Sequence, residues 1–372
     1  MPYIRKLPSG RWQATVRHPS GQRLTKTDPL KKVVAEWAKA LEAQYARGDL
    51  RDPRAGHITV DEFYQRWSKA HVVAATTRQK IEGRWRTHCL PKWGSWPMDS
   101  ITRMEAQGWV RELEATPRAR WGGRRILDED EAPYLAPATV QGIVNVMTCL
   151  YRAATADTPP IVMGNPFLRL SLPTIPPARV VYYTRQEHAA ILAAMGSLKL
   201  DYRWQVMADL AAYVGPRYGE MAGLGGDRVN WLRKEIEISR VWTVYGLREY
   251  PKSKKSHRTV PVPDWIMDGM SRLMKGRSRA EMVFAGPGSK HPWHAEWHRA
   301  WYAAVEAAGV PNYPPHALRH TAASWLVMDG VDLYRVQKLL GHESYRTTER
   351  YSHLSPDAHD EIRAVWKKSA AR

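Results

Sequence analysis

The stretch HALRHTAASWL, residues 316–326, sets strongly polar side chains directly beside an apolar helix. His316 and Arg319 open it in the pattern His-x-x-Arg, whereas the neighbours of His320, from Thr321 to Leu326, continue a buried helix. We therefore expect His320 to pack or to hydrogen-bond structurally. His316 and Arg319 are the candidates for chemistry in this stretch.

Three further segments in the same half of the chain also place polar residues next to apolar, capped structure. The last of them is bounded by helix signals: Asp332 is a typical N-cap and Gly341 ends the helix, so His342 is expected just beyond its C-terminus. Tyr351 follows His342 after nine residues. The three segments are GPRYGE at 215–220, PKSKK at 251–255 and LLGH at 339–342.

The bulk composition favours nucleic acid as a partner. The 372 residues include 56 Lys and Arg against 37 acidic residues, a formal net charge of +19, so the molecule has a strong positive field. The two cysteines, Cys89 and Cys149, cannot build a disulfide framework, which suits a reducing compartment. With no leader and no apolar segment long enough for a membrane span, we expect a cytoplasmic protein without a membrane partner.

Residues 1–55 form the first predicted domain, a small sheet with one helix against it. Alternation along residues 11–17 predicts a half-buried strand, Gln22 to Thr27 predicts its partner, and an i, i+4 apolar pattern after Pro29 predicts the helix. Basic residues outnumber acidic ones here, so we expect the strand face opposite the helix to be cationic and to suit a DNA major groove. The candidate DNA contacts in this domain are Arg11, Arg17, Arg23 and Lys26.

Residues 57–165 form a second predicted domain, which is helical in character. Threonines in front of apolar helical patterns are typical N-caps, whereas a glycine-rich stretch at 121–133 breaks the pattern and predicts a flexible insertion. The expected caps are Thr59, Thr76 or Thr77, and Thr139. Among the basic residues of these helices, Lys80 and Arg84 are candidate phosphate contacts.

A proline-rich stretch at 166–179 suits a stiff linker to the last predicted domain, residues 180–372. That domain combines helices with a short β section around 236–262, and a last helix is expected from Ser355-Pro356-Asp357 onward. The chain is therefore predicted to be α+β and mainly α. It shows no P-loop and no cluster of metal ligands, so no cofactor and no metal are expected.

The polar residues of the last domain suit the attack of a tyrosine on a DNA phosphodiester. The guanidiniums of Arg217 and Arg319 could clamp the phosphate oxygens as their negative charge grows. A phenol is a poor nucleophile at its ordinary pKa, so Tyr351 needs a base, and His316 could accept its proton. His342 could hydrogen-bond the same phosphate.

The 5′-oxygen that leaves the phosphorus needs a proton, which a lysine of lowered pKa can supply. Lys252 and Lys254 are both candidates, because strand periodicity would put them on one face. Glu220 lies three residues after Arg217 and is expected to orient a neighbouring arginine or histidine without taking part in the chemistry.

In this order the segments resemble the signature of the tyrosine recombinase, or phage integrase, family, whose active site is Arg, Lys, His-x-x-Arg, His or Trp, and Tyr. Pro-Lys-Ser-Lys is similar to the Pro-Lys-Thr-Lys of many integrases and favours Lys252 over Lys254. One departure is Val-Gly-Pro-Arg where the family commonly has Thr-Gly-Leu-Arg, although Pro216 can still occupy the first turn of a helix. The matching residues are Arg217, Lys252 or Lys254, His316, Arg319, His342 and Tyr351.

The resemblance implies a fold and a function. The last domain would have the tyrosine recombinase catalytic fold, preceded by a helical core-binding domain and a small arm-binding domain, as in an integrase of a phage or integrative element. Strands would be exchanged through a 3′-phosphotyrosyl intermediate and a Holliday junction, by a homotetramer on double-stranded DNA. The resemblance also allows a directionality factor and a DNA-bending host protein as partners, and a C-terminal helix that packs on a neighbouring subunit.

Three other functions stay open at this point. A recombinase that resolves chromosome or plasmid dimers would share the chemistry but usually lacks an N-terminal arm domain. A DNA-binding regulator of the same fold would lack catalysis. A type IB topoisomerase would share the tyrosine chemistry but would relax DNA without partner sites.

Overall fold

The structure is a computed structural model, in which the chain forms two compact units, Met1–Pro177 and Ala178–Arg372. Each unit has its own hydrophobic cores. No helix among the described residues is both long enough and apolar enough to cross a membrane. The described residues are 3–17, 23–46, 57–117, 120–121, 124–125, 134–176, 180–249 and 257–356, together with Arg363, Trp366 and Lys367.

The first unit begins with a three-stranded antiparallel sheet covered by one helix. Its elements are β1 (Tyr3–Lys6), β2 (Trp12–Arg17), β3 (Arg23–Asp28) and α1 (Lys31–Ala46), and the strands lie in the order β1-β2-β3. Successive side chains of a strand point to opposite faces, and β2 accordingly buries Ala14 and Val16 in a core shared with α1. The sequence predicted β2, β3 and α1, and the structure adds β1.

The open face of this sheet carries two of the predicted DNA contacts. Arg17 and Arg23 are cross-strand partners and alternate with the buried positions, so they point away from α1. Lys26 pairs instead with Ala14, whose side chain is buried. Lys26 therefore lies on the side of the sheet that α1 covers, because paired residues share a face. Arg11 lies in the turn before β2.

Helices α2 to α6 enclose a second core in the first unit. They span α2 Val60–Ala70, α3 Ala75–Arg84, α4 Leu90–Trp93, α5 Arg103–Glu114 and α6 Pro137–Ala156, with a π-helical turn at Trp85–Cys89 and short paired strands β4 (Arg120–Trp121) and β5 (Arg124–Arg125). The start of α2 is a capping box between Thr59 and Glu62, in which each side chain accepts from the backbone of the other. The prediction of Thr59 as a cap is confirmed.

Two other helix starts differ from the expected caps. Helix α3 begins at Ala75, before both Thr76 and Thr77. Helix α6 begins at Pro137, before Thr139. Proline explains the second difference, because its fixed φ suits the first helical position. The N–H of that position has no acceptor within the helix, so its absence in proline costs no hydrogen bond.

The two predicted phosphate contacts of this domain have different surroundings. Lys80 is exposed on α3. The guanidinium of Arg84 lies against Gly142 of α6, where any Cβ would overlap it. Arg84 therefore packs between two helices as well as carrying charge.

The stretch predicted as a linker packs on the helices over part of its length. Phe167 is buried in their core, and the side-chain amide of Gln107 both donates to the carbonyl of Ser171 and accepts from its N–H. This packing adds to the stiffness that prolines give. Residues 177–179 at the end of the stretch, most of the predicted insertion and most of the predicted last helix lie outside the described residues.

The second unit combines eight helices and five strands in its described part. The helices are α7 Arg185–Ser197, α8 Tyr202–Tyr213, α9 Tyr218–Ala222, α10 Asp264–Met274, α11 His294–Ala308, α12 Ala317–Met328, α13 Leu333–Leu340 and α14 Tyr345–Glu349. The strands are β6 Val229–Asn230, β7 Glu235–Ile238, β8 Arg240–Thr243, β9 Gly246–Glu249 and β10 Arg258–Pro261. One antiparallel sheet has the order β10-β7-β6, and β8 pairs with β9 in another. The predicted mainly α, α+β fold with a short β section is confirmed.

Helix α12 joins two hydrophobic cores of this unit. Leu318 and Trp325 pack in the larger core, whereas Ala323 and Val327 pack with α13 and Tyr351 in a smaller one. The helix is thus buried on two sides, as its sequence predicts. Its N-terminal side chains are held in a fixed position between the two cores.

Candidate active site

Arg217 stands at the start of α9, after a turn that favours glycine. Gly215 has a φ of +75°, a left-handed conformation, and a Cβ there would overlap the side chain of Leu340. Arg217 is the N-cap, with φ −71° and ψ 155°. Pro216 therefore precedes the helix, and the expectation that it occupies the first turn is wrong. The Arg217 side chain is 44% exposed.

Glu220 is a buried carboxylate held between two guanidiniums. Its Oε2 accepts from the backbone N–H of Arg217 at 2.8 Å, and its Oε1 accepts from Arg217 Nη1 at 3.0 Å. Arg258 Nη2 donates to Oε2 at 2.8 Å. The side chain of Glu220 has no exposed surface and that of Arg258 is 8% exposed, so salt screens this pair little. The contacts fit the predicted orienting role of Glu220.

Arg319 is buried, and two backbone carbonyls fix its guanidinium. Nη1 donates to the carbonyl of Gly215 and Nη2 to that of Leu340, both at 2.6 Å. Leu340 ends α13, whose last carbonyls have no partner within the helix. Arg258 Nε donates to the neighbouring carbonyl of Leu339 at 2.8 Å. Two cationic side chains therefore cap the negative end of α13.

His342 directly follows this capped helix end. Gly341 is left-handed, with φ +67°, and a Cβ on it would lie 2.8 Å from Arg258 Nη1, so both conformation and close approach favour glycine. His342 is buried, and its Nδ1 makes a 2.9 Å hydrogen bond with Thr348 Oγ1. The predictions that Asp332 caps α13 and that His342 lies just beyond its C-terminus are confirmed.

Tyr351 is also buried, with 1% of its surface exposed. Its ring packs in the smaller core with Ala323 and Val336. The hydroxyl lies 2.5 Å from Nδ1 of His320. The sequence predicts His316 as the proton acceptor, and the ring of that residue lies 5.5 Å from the ring of His320, measured between centroids.

Two cavities border these residues. His316 and Arg319 line one of about 260 Å³, and Arg258 and His342 line another of about 410 Å³. His316 itself is exposed at the N-cap of α12. The cavities leave room beside the cluster for a group from outside the chain.

The cluster carries more positive than negative charge, because it combines the guanidiniums of Arg217, Arg258 and Arg319 with the single carboxylate of Glu220. Burial, and then the charge of Arg217, lowers the pKa of Arg319 to about 9, so it stays charged at neutral pH. Burial, and then the charges of the arginines, lowers the pKa of His342 to about 3. Burial also raises the pKa of Tyr351. Such an excess of buried positive charge favours binding of an anion.

The candidate lysines, Lys252 and Lys254, lie outside the described residues. The strands on either side, β9 and β10, are described. Strand β10 begins at Arg258, whose guanidinium bonds Glu220. The second described residue after the lysine segment is therefore one of the arginines of the cluster.

A comparison with protein families assigns this domain. The profile of the Phage integrase family matches residues 182–357, a span that contains the cluster and Tyr351. Residues 182–357 therefore form a domain of the phage integrase, or tyrosine recombinase, family. The general reaction of these recombinases, cleavage and rejoining of DNA strands, is therefore the reaction of this chain.

Curated relatives of the recombinase are bacterial. The chain is 28% identical over 225 residues to tyrosine recombinase XerC of Mycobacterium tuberculosis (strain ATCC 25177 / H37Ra), a match that covers 57% of this chain and 70% of the relative. It is 30% identical over 176 residues to tyrosine recombinase XerD of Corynebacterium glutamicum, covering 46% of this chain and 54% of the relative.

Solved structures of similar fold include two integrases. The Tn1549 transposon integrase in complex with a circular intermediate DNA matches 84% of this chain and 99% of its own, with a TM-score of 0.67 and 18% identity. A lambda integrase dimer bound to a COC′ core site matches 94% of each chain, with a TM-score of 0.58 and 16% identity. At these identities the likeness concerns the fold, and the predicted tyrosine recombinase fold is confirmed.

The structure brings five of the predicted catalytic residues into one part of the second unit, and it adds two residues to them. His320 and Arg258 contact Tyr351 and Glu220 respectively, yet neither was a candidate. For His320 the available signal was its position four residues after His316, on the same helical face. For Arg258 the available signal was its position, as a basic residue, at the start of a strand pattern. No group of three or more His, Cys, Asp or Glu side chains suited to a metal ion occurs in the described part of the chain.

Glu220→Gln should destabilise the protein strongly, because it leaves Arg217 and Arg258 around a neutral amide. We expect the free energy of unfolding to fall by about 3–5 kcal/mol, the usual cost of breaking a buried ion pair. Glu237→Gln is the matched control, since Glu237 bonds Arg228 at 3.0 Å but is 40% exposed, and should cost about 0–1 kcal/mol. Chemical denaturation measures both, and equal losses would contradict the account.

Proposed function

We propose that this recombinase is an integrase, which inserts or excises a mobile DNA element through a 3′-phosphotyrosyl bond to Tyr351. The observation that carries the proposal is the buried guanidinium of Arg319, which two carbonyls fix one residue before His320, the hydrogen-bond partner of the Tyr351 hydroxyl. A preorganised cation beside a nucleophile is the arrangement that phosphoryl transfer needs.

The scissile phosphate would bind between Arg217 and Arg319. A guanidinium has five N–H donors in one plane, and the two carbonyl bonds of Arg319 use one donor on each terminal nitrogen. Further donors can then meet phosphate oxygens. As phosphorus becomes five-coordinate these oxygens gain negative charge, so fixed donors stabilise that state more than the ground state. Neutral His342, fixed through Nδ1, would offer Nε2 to the same phosphate.

The proposed reaction exchanges one phosphate ester for another. The Tyr351 oxygen attacks phosphorus, the bond to the 5′-oxygen breaks, and the 3′ end stays on the enzyme as phosphotyrosine. Because the new bond is also a phosphate ester, the energy of the broken bond is retained. A 5′-hydroxyl from a second duplex can therefore reverse the step, and two such exchanges would form and resolve a Holliday junction.

Lys252 is the proposed proton donor to the leaving 5′-oxygen, with Lys254 as the alternative. Neighbouring positive charge lowers the pKa of a lysine and so makes it a better acid. The excess charge of the cluster, which Arg258 joins directly after this segment, supports such a shift.

The proposed partner is double-stranded DNA. The helical domain and the catalytic domain would hold a core site, and the N-terminal sheet would hold an arm site through its open face, where Arg5, Arg17 and Arg23 lie. Four protomers would act on two duplexes. A directionality factor and a DNA-bending host protein are the accessory partners that this arrangement allows.

Resolution of chromosome or plasmid dimers is the second candidate function. The XerC and XerD relatives favour it. The basic three-stranded sheet at the N-terminus favours an integrase, because a dimer resolvase usually has no arm-binding domain. Both functions use the same tyrosine chemistry.

Tyr351→Phe keeps the aromatic ring but removes the nucleophile. We expect this variant to bind DNA with wild-type affinity and to form no SDS-resistant adduct. The DNA is a duplex selected from a random-core library by binding to the wild-type protein, then nicked at successive positions so that the cleaved fragment diffuses away. Denaturing gel electrophoresis measures the adduct, and Tyr345→Phe, at an exposed tyrosine six residues earlier, is the matched control.

An adduct formed by Tyr351→Phe, or loss of the adduct in Tyr345→Phe instead, would refute Tyr351 as the nucleophile. DNA binding by the wild-type protein with no adduct on any nicked duplex would favour a regulator without catalysis.

Lys252→Ala should slow cleavage by about 100-fold or more, the usual contribution of general acid catalysis. Replacement of the bridging 5′-oxygen by sulfur should restore the rate, because a thiolate leaves without a proton. Lys254→Ala should reduce the cleavage rate less, and the sulfur duplex should not restore the rate of this variant. Single-turnover cleavage rates on oxygen and sulfur duplexes compare the variants. Sulfur rescue of Lys254→Ala alone would make Lys254 the donor.

A further inference from the structure

The hydroxyl of Tyr351 has a histidine partner that the sequence pattern of the family signature does not include. His320 Nδ1 lies 2.5 Å from the hydroxyl oxygen, and this is the hydrogen bond that the hydroxyl makes among the described residues. His320 belongs to α12, directly after Arg319 and one helical turn after His316. It hydrogen-bonds the Tyr351 oxygen directly, whereas the described contact of His316 is with the ring of His320.

His320 is neutral near pH 7. Burial, and then the charges of His316, Arg350 and Arg319, lowers its pKa to about 4. His342 also faces it from the end of α13. A neutral imidazole has one nitrogen with a free lone pair. With that lone pair at Nδ1, the ring can accept the proton of the hydroxyl.

We propose that His320, and not His316, accepts the phenolic proton when Tyr351 attacks DNA. The inference rests on the proposed function of Tyr351 as the nucleophile. As the bond from the Tyr351 oxygen to phosphorus forms, the phenolic proton passes to His320 Nδ1, the bond from phosphorus to the 5′-oxygen breaks, and the proposed lysine protonates that oxygen. In rejoining, each proton returns by the reverse route.

DNA binding makes this transfer easier. The phosphate places negative charge beside Arg217 and Arg319, which offsets cations that weaken His320 as a base. Burial raises the pKa of Tyr351, and the charges of Arg350 and Arg319 oppose that rise. As the Tyr351 oxygen bonds to phosphorus its own affinity for the proton falls, so the proton can pass to His320 during the attack.

His316 suits a different part of the reaction. It is exposed at the N-cap of α12 and lines the 260 Å³ cavity together with Arg319. A phosphate bound by Arg319 would lie within reach of that cavity. His316 is therefore a phosphate contact, which separates its role from that of His320.

The test compares His320→Asn with His316→Asn in the full-length protein. An Asn oxygen can occupy the position of His Nδ1 and accept the tyrosine proton in a hydrogen bond, but it takes up no proton at neutral pH. We expect His320→Asn to bind the selected nicked duplex as the wild type does and to cleave it about 100-fold more slowly or worse. The readout is the single-turnover rate of adduct formation across a pH series.

The pH series separates catalysis from a structural role. The wild-type rate should fall on the acid side as His320 becomes protonated, His316→Asn should keep this acid limb, and His320→Asn should lack it. Cleavage by His320→Asn at the wild-type rate, or loss of the acid limb in His316→Asn only, would overturn the proposal. Sulfur at the bridging position should not rescue His320→Asn, because the acid step is intact.

Adding imidazole to His320→Ala gives a second, independent test, in which the rate of adduct formation is measured with and without the free base. The free base should restore adduct formation in proportion to its unprotonated fraction, and no restoration by imidazole in a folded variant would count against His320 as a base. If the wild-type protein forms an adduct through Tyr351 but these variants behave otherwise, the inference alone fails. If the wild-type protein forms none, the proposed function fails and the inference with it.

Discussion

The two hydrogen bonds from the buried guanidinium of Arg319 to the carbonyls of Gly215 and Leu340 are the contacts on which the site depends. They join the turn before α9 to two segments about a hundred residues later in the sequence, the start of α12 and the end of α13. The turn carries Arg217 into the site, and the helix end carries His342. Each carbonyl contact holds a segment that bears a candidate catalytic side chain, so the guanidinium of Arg319 both fixes the site and is the proposed phosphate ligand.

Burial makes this arrangement costly unless the charges are paired. Glu220 offsets part of the charge by binding Arg217 and Arg258, and the carbonyls of Leu339 and Leu340 offset more because they are the unpaired, negative end of α13. Positive charge still exceeds negative charge, and burial together with this charge lowers the pKa values of His320 and His342. In the proposed function, a DNA phosphate diester would supply the missing negative charge beside Tyr351. Stability and substrate binding therefore follow from the same imbalance.

The sequence predicted the parts of the fold and site that depend on neighbouring residues. Asp332 and Gly341 mark the two ends of α13 through local capping, so the place of His342 followed directly. Contacts between distant segments were not predicted: Arg258 and Leu339 are 81 residues apart, and His320 was read as a continuation of a buried helix because the partner of its ring lies on another element. The same limit applies to Lys26, whose face depends on pairing register.

The central claim is that a DNA phosphate in this cluster becomes bonded to the Tyr351 oxygen at its 3′ side. The most direct measurement is mass spectrometry of the trapped protein–DNA adduct after nuclease and protease digestion, together with enzymatic labelling of the released DNA end. The account predicts a nucleotide joined through its 3′-phosphate to the peptide that contains Tyr351, and a free 5′-hydroxyl on the released strand. A nucleotide on any other residue, or a released strand with a 3′-hydroxyl and a 5′-linked protein, would contradict it.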